Sequence, residues 1–215
     1  MPKYVVVEHL EPCISPWLLS EYSYVINLFR DSDFKLIFTS VRRPSDYSVL
    51  KEQQVRVFRA SITNKGLLKY LGISNVIVLD PKAEEPLRSR DTILADAIVI
   101  GGIMGDHPPK GRTWELITSR LPRSKPRNLG KKQLTIAGAA YVLREVLKGR
   151  RLDEITIRDG LTIPIKLGKY ELLIELPYAF PYVNGEPVLP ENYIEVVARK
   201  SLIFEGSGAC SNEQD

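Results

Sequence analysis

The stretch IVIGGIMGDHPPKGRT, residues 98–113, decides how the fold of the chain is interpreted. It opens with three β-branched apolar residues, which predict a short buried strand. Glycines interrupt this strand at once, at Gly101-Gly102 and again at Gly105, and Asp106-His107 then precedes two prolines and two basic residues. An apolar strand that runs into flexible backbone and then into polar side chains is typical of a ligand crevice at the carboxyl end of a parallel strand.

Strands and helices alternate on both sides of this stretch, which predicts an α/β fold with a mostly parallel sheet. Apolar runs predict strands at 3–7, 34–39, 55–58, 76–79 and 96–100. Helical spacing and capping residues predict helices at 15–31, 64–71, 91–95, 113–120 and 133–148. The polar segment 42–46 and the basic segment 121–128 are expected to be loops. Trp17 and Trp114 lie on predicted helices and are expected in the core.

The pattern changes after residue 154, where β-like runs at 155–157 and 170–176 are followed by a proline-rich stretch at 177–190. We interpret 155–190 as a small β and proline-rich appendage on a single domain that spans residues 1–204. A helix is predicted at 193–203, within that domain. Residues 205–215 are expected to form a flexible tail.

Composition sets broad limits on function. The net charge of +4 and the pI of about 9.0 allow an anionic partner such as RNA or a ribosomal surface, but many proteins without such a partner look the same. Cys13 and Cys210 are far apart and fit no metal or disulfide spacing, so we expect free thiols in a reducing cytosol. No apolar run approaches the roughly 20 residues that span a bilayer, and the N-terminus lacks a signal peptide. These features predict a soluble, cytoplasmic protein.

Several enzyme classes are excluded by their missing motifs. The chain has no nucleophile elbow, zinc-protease helix, phosphate-binding loop or kinase signature. The spacing of the glycines at 101–105 is not that of a dinucleotide fingerprint. The two histidines, His9 and His107, are too few and too far apart to form a metal site by local spacing, so no metal is expected.

Three loops at the ends of predicted strands or before a helix could instead hold a ligand by backbone contacts. They are Leu79-Asp80-Pro81, the glycine-marked loop 101–105, and 129–135 with the sequence LGKKQLT. Glycine lets the main chain approach a ligand closely, and freed backbone N–H and C=O groups can bind the edge of an adenine. Each loop taken alone could also be a plain turn.

The order of these loops resembles the SPOUT class of methyltransferases, in which a glycine-marked loop and a later LGxxxxT loop bind S-adenosylmethionine. Further motifs sharpen the resemblance to one branch, whose described yeast member is a protein-arginine methyltransferase acting on a small-subunit ribosomal protein. The motifs are VVEH at 6–9, GGIMGDHPP at 101–109, RTxEL at 112–116, LGxKQxT at 129–135 and LPE at 189–191. The resemblance runs from about Val5 to Glu191.

This resemblance implies a fold that composition and periodicity did not indicate. The parallel sheet, flanked by helices, would end in a C-terminal trefoil knot, although knots are nearly absent from protein folds. The cofactor would be S-adenosylmethionine. Many members of the class form homodimers, but the oligomeric state of this chain is not readable from its sequence. The predicted cofactor-binding residues are Leu79, Asp80, Pro81, Gly101, Gly102, Ile103, Gly105, Leu129, Gly130, Gln133, Leu134 and Thr135.

Acidic side chains near the crevice are candidates for the chemistry, because an arginine acceptor needs carboxylates to orient its guanidinium and to help remove a proton. We predict Glu8, Asp106 and His107 as catalytic residues. The predicted substrate-binding residues are His9, Glu11, Arg112 and Arg127, and the two arginines could alternatively bind RNA phosphates. Plain structural roles remain open for all of them: a solvated strand end for Glu8, a turn or cap for Asp106, and a solvated basic face for the arginines.

Three functions therefore remain open at this point. The first is methylation of an arginine in a small-subunit ribosomal protein, and the second is methylation of ribosomal or transfer RNA by the same fold. The third is a ribosome- or RNA-binding module that keeps the cofactor pocket without turnover. The coexistence of all three loops with the DHPP motif argues against the third.

Overall fold

A computed structural model describes residues 3–167 and 169–206 together with Cys210. Six parallel strands form the central sheet in the order β3-β2-β1-β5-β4-β6. Their bounds are β1 (Tyr4–His9), β2 (Lys35–Thr39), β3 (Arg56–Val57), β4 (Val76–Leu79), β5 (Ala97–Gly102) and β6 (Lys125–Arg127). The parallel α/β sheet predicted from the sequence is confirmed. The exception is β6, which lies in the basic segment expected to be a loop.

Helices cover both faces of the sheet. They are α1 (Pro16–Phe29), α2 (Pro44–Glu52), α3 (Lys65–Leu71), α4 (Ser89–Ile93), α5 (Arg112–Leu116) and α6 (Ile136–Leu147), with 3₁₀ turns at Thr118–Arg120 and Leu152–Glu154. The loop predicted at 42–46 was wrong, because Pro44 at the first helical position and Asp46 in the first turn begin α2. Helix α6 begins later than predicted, since Thr135 caps it through a bond from the Gly138 N–H (3.0 Å).

The alternation of side chains along β1 and β5 divides the apolar core between the two faces. Val5, Val7, Ile98 and Ile100 point to the layer formed by α1 and α6, where Tyr22 is also buried. The alternate residues of these strands and of β4 point to the opposite layer, among them Val6, Val78 and Val99. Helix α3 and the 3₁₀ turn at 118–120 cover this layer. A strand buried on both faces reads as a continuous apolar run, which explains why the sequence predicted β1 and β5 so well.

A second, antiparallel sheet follows the parallel sheet and its helices along the chain. It consists of β7 (Ile157–Leu167), β8 (Tyr170–Val183) and β9 (Glu186–Pro187). Strand β8 extends through part of the predicted proline-rich stretch. The strand accommodates Pro177 because the pairing register shifts between Asp159 and Leu161, which leaves this proline without a partner in β7. The predicted C-terminal helix is present as α7 (Tyr193–Glu195), a π-helical segment (Val196–Lys200) and α8 (Ser201–Gly206).

Residues 127 and 128 pass between strand β4 and the connection that leaves it. The Asp80 N–H donates to the Arg127 carbonyl (2.9 Å), the Asn128 N–H donates to Glu85 (2.9 Å), and the Leu87 N–H donates to the Asn128 carbonyl (2.8 Å). These bonds fix residues 127 and 128 against the connection from β4 to β5. The trefoil knot implied by the resemblance stays a prediction.

The expectation of two free thiols was wrong. Cys13 and Cys210 form a disulfide, with their Cα atoms 5.6 Å apart across a sequence separation of 197 residues. The sequence could not indicate this pair, because only the fold brings the loop after β1 to the C-terminal end. Apart from Glu205, Gly206 and Cys210, the predicted flexible tail lies outside the described residues. Within the described part of the chain, no helix is long and apolar enough to cross a membrane.

Candidate active site

A cavity of about 280 Å³ opens at the carboxyl ends of β4 and β5. The three loops singled out in the sequence meet there, together with the first turns of α5 and α6. The predicted cofactor residues that line it are Leu79, Asp80, Pro81, Gly101, Ile103, Gly105, Leu129, Gly130, Gln133, Leu134 and Thr135. Segments that are up to 56 positions apart in sequence therefore form one pocket.

The remaining predicted cofactor residue, Gly102, does not line this cavity. It lies behind the site, where an added Cβ atom would stand 2.5 Å from the Tyr22 hydroxyl and 2.8 Å from the Glu8 carbonyl oxygen. Glycine is needed here for the packing of β5 against β1 and α1. At Gly101 an added Cβ would meet no atom closer than 3.3 Å, so Gly101 is the glycine of the pair that faces the cavity.

Asp80 holds the first loop in shape. Its carboxylate is buried and accepts hydrogen bonds from the Thr118 hydroxyl (2.5 Å) and from the Lys82 N–H (2.9 Å). Because both carboxylate oxygens are engaged by the protein, Asp80 fixes the turn after β4 against the segment that follows α5.

An ion cluster clamps the glycine-marked loop. Glu11 accepts the Met104 N–H (2.8 Å) and pairs with Arg112 (3.1 Å), and Arg112 pairs with Asp106 through its Nε atom (2.8 Å). Arg112 also donates to the Met104 carbonyl, and Lys110 lies 3.3 Å from Asp106. The structure thus brings together three residues predicted for catalysis or substrate binding, Glu11, Asp106 and Arg112, and the two carboxylates are balanced by Arg112 and Lys110.

Glu8 is placed away from the cavity. It is 1% exposed, and its carboxylate accepts hydrogen bonds from Ser61 (2.5 Å), from the Ile62 N–H (3.0 Å) and from the Thr39 hydroxyl. Both oxygens of this buried carboxylate are engaged by donors on neighbouring elements, so neither is open to a substrate. This geometry favours a structural role for Glu8 over the catalytic role suggested by the sequence.

The other predicted residues have mixed positions. His9 is buried between the Tyr22 hydroxyl (2.9 Å) and Asp46 (3.6 Å). Tyr22 in turn donates to the Gly102 carbonyl (3.3 Å). These contacts support the end of β5, where the glycine-marked loop begins, on the side away from the cavity. His107 is exposed at the rim. Arg127 pairs with Asp91 (3.2 Å) and Glu85 (3.4 Å), which accounts for its charge without RNA.

Sequence reasoning missed the roles of four residues beside the site, Tyr178, Trp17, Tyr193 and Glu21. The Tyr178 hydroxyl donates to the Gly105 carbonyl (2.7 Å), so strand β8 contacts the glycine-marked loop of the site. Trp17, expected in the core, is only partly buried; its indole N–H donates to the Tyr193 hydroxyl (3.0 Å). Glu21 accepts the Ala137 N–H (2.6 Å) at the start of α6. Trp114, also expected in the core, is 43% exposed.

Burial dominates the titration of these groups. Burial raises the pKa of Glu21 above its usual value, although the Ala137 N–H and nearby polar groups oppose the rise. Burial also raises the pKa of Tyr178 and, more strongly, that of Tyr193, and the neighbouring Glu21 charge adds to the effect at Tyr193. No group of three or more His, Cys, Asp or Glu side chains suited to a metal ion occurs among the described residues.

The parallel sheet and the three-loop cavity at its edge define a protein of the SPOUT class. The sequence model described as "protein arginine N-methyltransferase SFM1-like" matches residues 4–202, and the chain belongs to this family. The family predicted from the sequence motifs is thereby confirmed.

Individual relatives agree with this assignment. Protein arginine N-methyltransferase SFM1 of Saccharomyces cerevisiae is 29% identical over 207 residues, which cover 91% of this chain and 94% of the yeast protein. A crystal structure of the yeast enzyme complexed with SAM superposes with a TM-score of 0.78 at 28% identity, covering 94% of this chain and 92% of that one. Dual specific Trm10 from Thermococcus kodakaraensis, at 21% identity and a TM-score of 0.59, covers 72% of this chain and 96% of its own, and shares the fold.

Proposed function

We propose that the protein transfers a methyl group from S-adenosylmethionine to an arginine side chain of a protein. The observation that carries this proposal is the convergence of the three loops on one cavity in a chain of the SFM1-like family. Yeast SFM1 has been crystallised in complexes with SAM and with SAH, which supports the same cofactor here.

The residues of the cavity fit this cofactor. Leu79, Ile103, Leu129 and Leu134 give it apolar walls, and Gly101 and Gly130 expose backbone at its surface. A mostly apolar pocket with a few fixed polar groups is the usual site for an adenine-containing ligand. Gly130 has a φ of +102°, a conformation that glycine adopts readily, and it lets loop 129–135 turn along the cavity wall.

When bound, S-adenosylmethionine supplies a methyl group whose bond to sulfur breaks as the guanidino nitrogen–carbon bond forms, leaving the electron pair on sulfur and releasing one N–H proton. The protein must hold the acceptor in line with that methyl group, since positioning provides most of the acceleration in such a displacement. The Glu11–Arg112–Asp106 cluster keeps loop 101–106 in the shape that this alignment needs.

We further propose that the acceptor is an arginine of a small-subunit ribosomal protein and that the enzyme acts in the cytoplasm. The support is the resemblance of the GGIMGDHPP, RTxEL and LGxKQxT motifs to the branch with that substrate. Arg127 was one of the cations that could have bound RNA phosphates. Its ion pairs with Asp91 and Glu85 already balance its charge, which weakens the case for an RNA acceptor.

The test is an in vitro transfer assay. Purified protein is incubated with methyl-labelled S-adenosylmethionine and small ribosomal subunits isolated from cells that lack it. We expect label in one ribosomal protein, and methylarginine after acid hydrolysis of that protein. Label in ribosomal RNA alone would replace the proposal with the RNA methyltransferase alternative. Absence of label in both, with cofactor binding intact, would favour a non-catalytic module.

A further inference from the structure

Glu21 is a buried acid with one unused oxygen. It lies on α1, its side chain is 1% exposed, and its Oε2 atom accepts the Ala137 N–H (2.6 Å). Its Oε1 atom has no hydrogen-bond partner. Trp17, Thr135 and Tyr193 surround the carboxyl and oppose the rise of its pKa, but none of them meets Oε1 with hydrogen-bonding geometry. A buried acceptor without a donor is costly, so this atom needs an explanation.

Glu21 lies beside the cofactor cavity. A separate space of about 10 Å³ is lined by Glu21, Trp17 and Tyr178. Five further residues line both this space and the cofactor cavity and so form the wall between them: Ile103, Met104, Gly105, Thr135 and Ile136. This volume holds about one water molecule. Only the wall formed by loop 103–105 and the start of α6 separates Glu21 from the proposed cofactor.

The other acids near the cavity already have partners. Asp106 and Glu11 pair with Arg112, and Asp80 accepts from Thr118 and Lys82. Glu8 accepts from three donors outside the cavity. Among the described residues, one other side chain besides Glu21 has a buried polar atom without a hydrogen-bond partner. It is Asp46, whose Oδ2 atom faces His9 and not the cavity.

The surroundings of Glu21 suit a guanidinium. Trp17 stands edge-on to Tyr178 and to Tyr193, with ring centroids 6.4 and 6.2 Å away. Aromatic rings attract a flat cation, and a carboxylate pairs with it through charge-assisted hydrogen bonds. Two positive groups, a guanidinium and a sulfonium, must also meet during the reaction, and a nearby carboxylate offsets their repulsion.

We propose that Glu21 binds the guanidinium of the acceptor arginine and takes the proton released when its nitrogen is methylated. Trp17 and Tyr178 form the walls of this acceptor site. Because the present space is too small for a guanidinium, Met104, which is half-buried and has a flexible side chain, must shift as the arginine enters. The inference rests on the proposed function and adds a specific acceptor-binding residue to it.

Glu21→Gln tests this role. The amide oxygen of glutamine can still accept the Ala137 N–H, so the start of α6 is preserved while the charge and the proton acceptor are lost. With an arginine peptide from the ribosomal protein identified by the transfer assay, we expect kcat/KM to fall at least about 100-fold. S-adenosylmethionine affinity should stay within about threefold, and the melting temperature should not fall. Glu145→Gln, at the far end of α6, is the matched control and should keep full activity.

Binding of a neutral analogue separates acceptor recognition from a structural role. With S-adenosylhomocysteine bound, the wild type should prefer the arginine peptide at least tenfold over the same peptide with citrulline, and Glu21→Gln should lose this preference. Should Glu21→Gln fail to fold, Glu21→Asp keeps the charge but withdraws the carboxyl; we expect it to bind cofactor yet lose at least tenfold in kcat/KM.

Full activity of a folded Glu21 variant, or an unchanged preference for arginine over citrulline, would overturn the inference. A wild type that methylates no protein arginine would instead contradict the proposed function itself. The two failures are distinguishable, because the first requires an active wild type.

Discussion

Glu11 and Arg112, which are 101 residues apart in sequence, meet at 3.1 Å and hold the glycine-marked loop between them. Both contact the backbone of Met104. Glu11 accepts a hydrogen bond from the Met104 N–H, and Arg112 donates one to the Met104 carbonyl. Because Met104 lies in the wall between the cofactor cavity and the space beside Glu21, this pair controls the shape of both.

Arg112→Leu should loosen this loop. The substitution leaves Glu11 and Asp106 without their shared cation, so their like charges repel, and the Met104 carbonyl loses the donor that Arg112 supplies. We expect the dissociation constant for S-adenosylmethionine to rise at least about tenfold by calorimetry, with a lower melting temperature. Arg120→Leu is the matched control, since Arg120 is exposed and forms no ion pair among the described residues. Equal cofactor affinity in both variants would contradict a role for the clamp.

Gly101 and Gly102 should respond differently to substitution. Gly101→Ala has room and should keep cofactor affinity, whereas Gly101→Val places bulk in the cavity and should weaken binding at least about tenfold without unfolding the protein. Gly102→Val should destabilise the fold, because its Cβ would clash with the Glu8 carbonyl. Thermal melts and calorimetry on the three variants check this. A folded Gly102→Val protein that has lost only its cofactor binding would favour the original sequence-based expectation.

Glu8→Ala should act on stability. It removes the acceptor for Thr39, Ser61 and the Ile62 N–H in a buried position, and leaving buried donors unpaired costs about 1–3 kcal/mol for each unsatisfied group. We expect a lower free energy of unfolding in urea, and a kcat within about threefold of the wild type at a temperature where the variant is folded. A stable variant with a kcat reduced about 100-fold would restore Glu8 to catalysis.

The stability of the protein relative to Glu21→Gln should depend on pH. Burial raises the folded-state pKa of Glu21 above its ordinary value of 4.5. The stability of the wild type relative to the variant is therefore fully present below that value and is lost as pH rises through the folded-state pKa. The tyrosines that face it do not titrate in this window, since burial raises the pKa of Tyr24 to about 12 and also raises those of Tyr178 and Tyr193. The wild type should therefore lose stability against the variant as pH increases from about 4.5, by at most about 1.4 kcal/mol per pH unit. Urea unfolding of both proteins at several pH values measures this, and a difference independent of pH would contradict the raised pKa.

The Cys13–Cys210 pair should respond to the redox environment. A disulfide that closes so long a loop restricts the unfolded chain, and a reducing compartment opposes it. We expect two alkylated cysteines after treatment with dithiothreitol, none before it, and a lower melting temperature for the reduced form. Two reactive thiols in air-oxidised protein would contradict the pairing.

Local patterns were enough to predict five of the six parallel strands and the three loops that line the cavity, but not β6. Val5, Val7, Ile98 and Ile100 belong to apolar runs that are typical of buried strands, and Gly101, Gly102 and Gly105 mark the end of β5 and the loop after it. The residues that the sequence missed depend on distant contacts. Glu21 is one polar position between Leu18 and Tyr22 on an amphipathic helix, and nothing local indicates that the start of α6 and strand β8 bury it. Glu8 resembled an open strand end because Thr39, Ser61 and Ile62 reach it only after β2 and the segment following β3 have packed against β1.

The most direct test of the central claim is mass spectrometry of small ribosomal subunits from cells with and without this protein. We predict that one arginine of one ribosomal protein carries a methyl group only in the cells that contain it, and that wild-type protein, but not Gly101→Val, restores the modification. Identical protein methylation in both cell lines, with a methyl group missing from RNA, would contradict a protein-arginine acceptor.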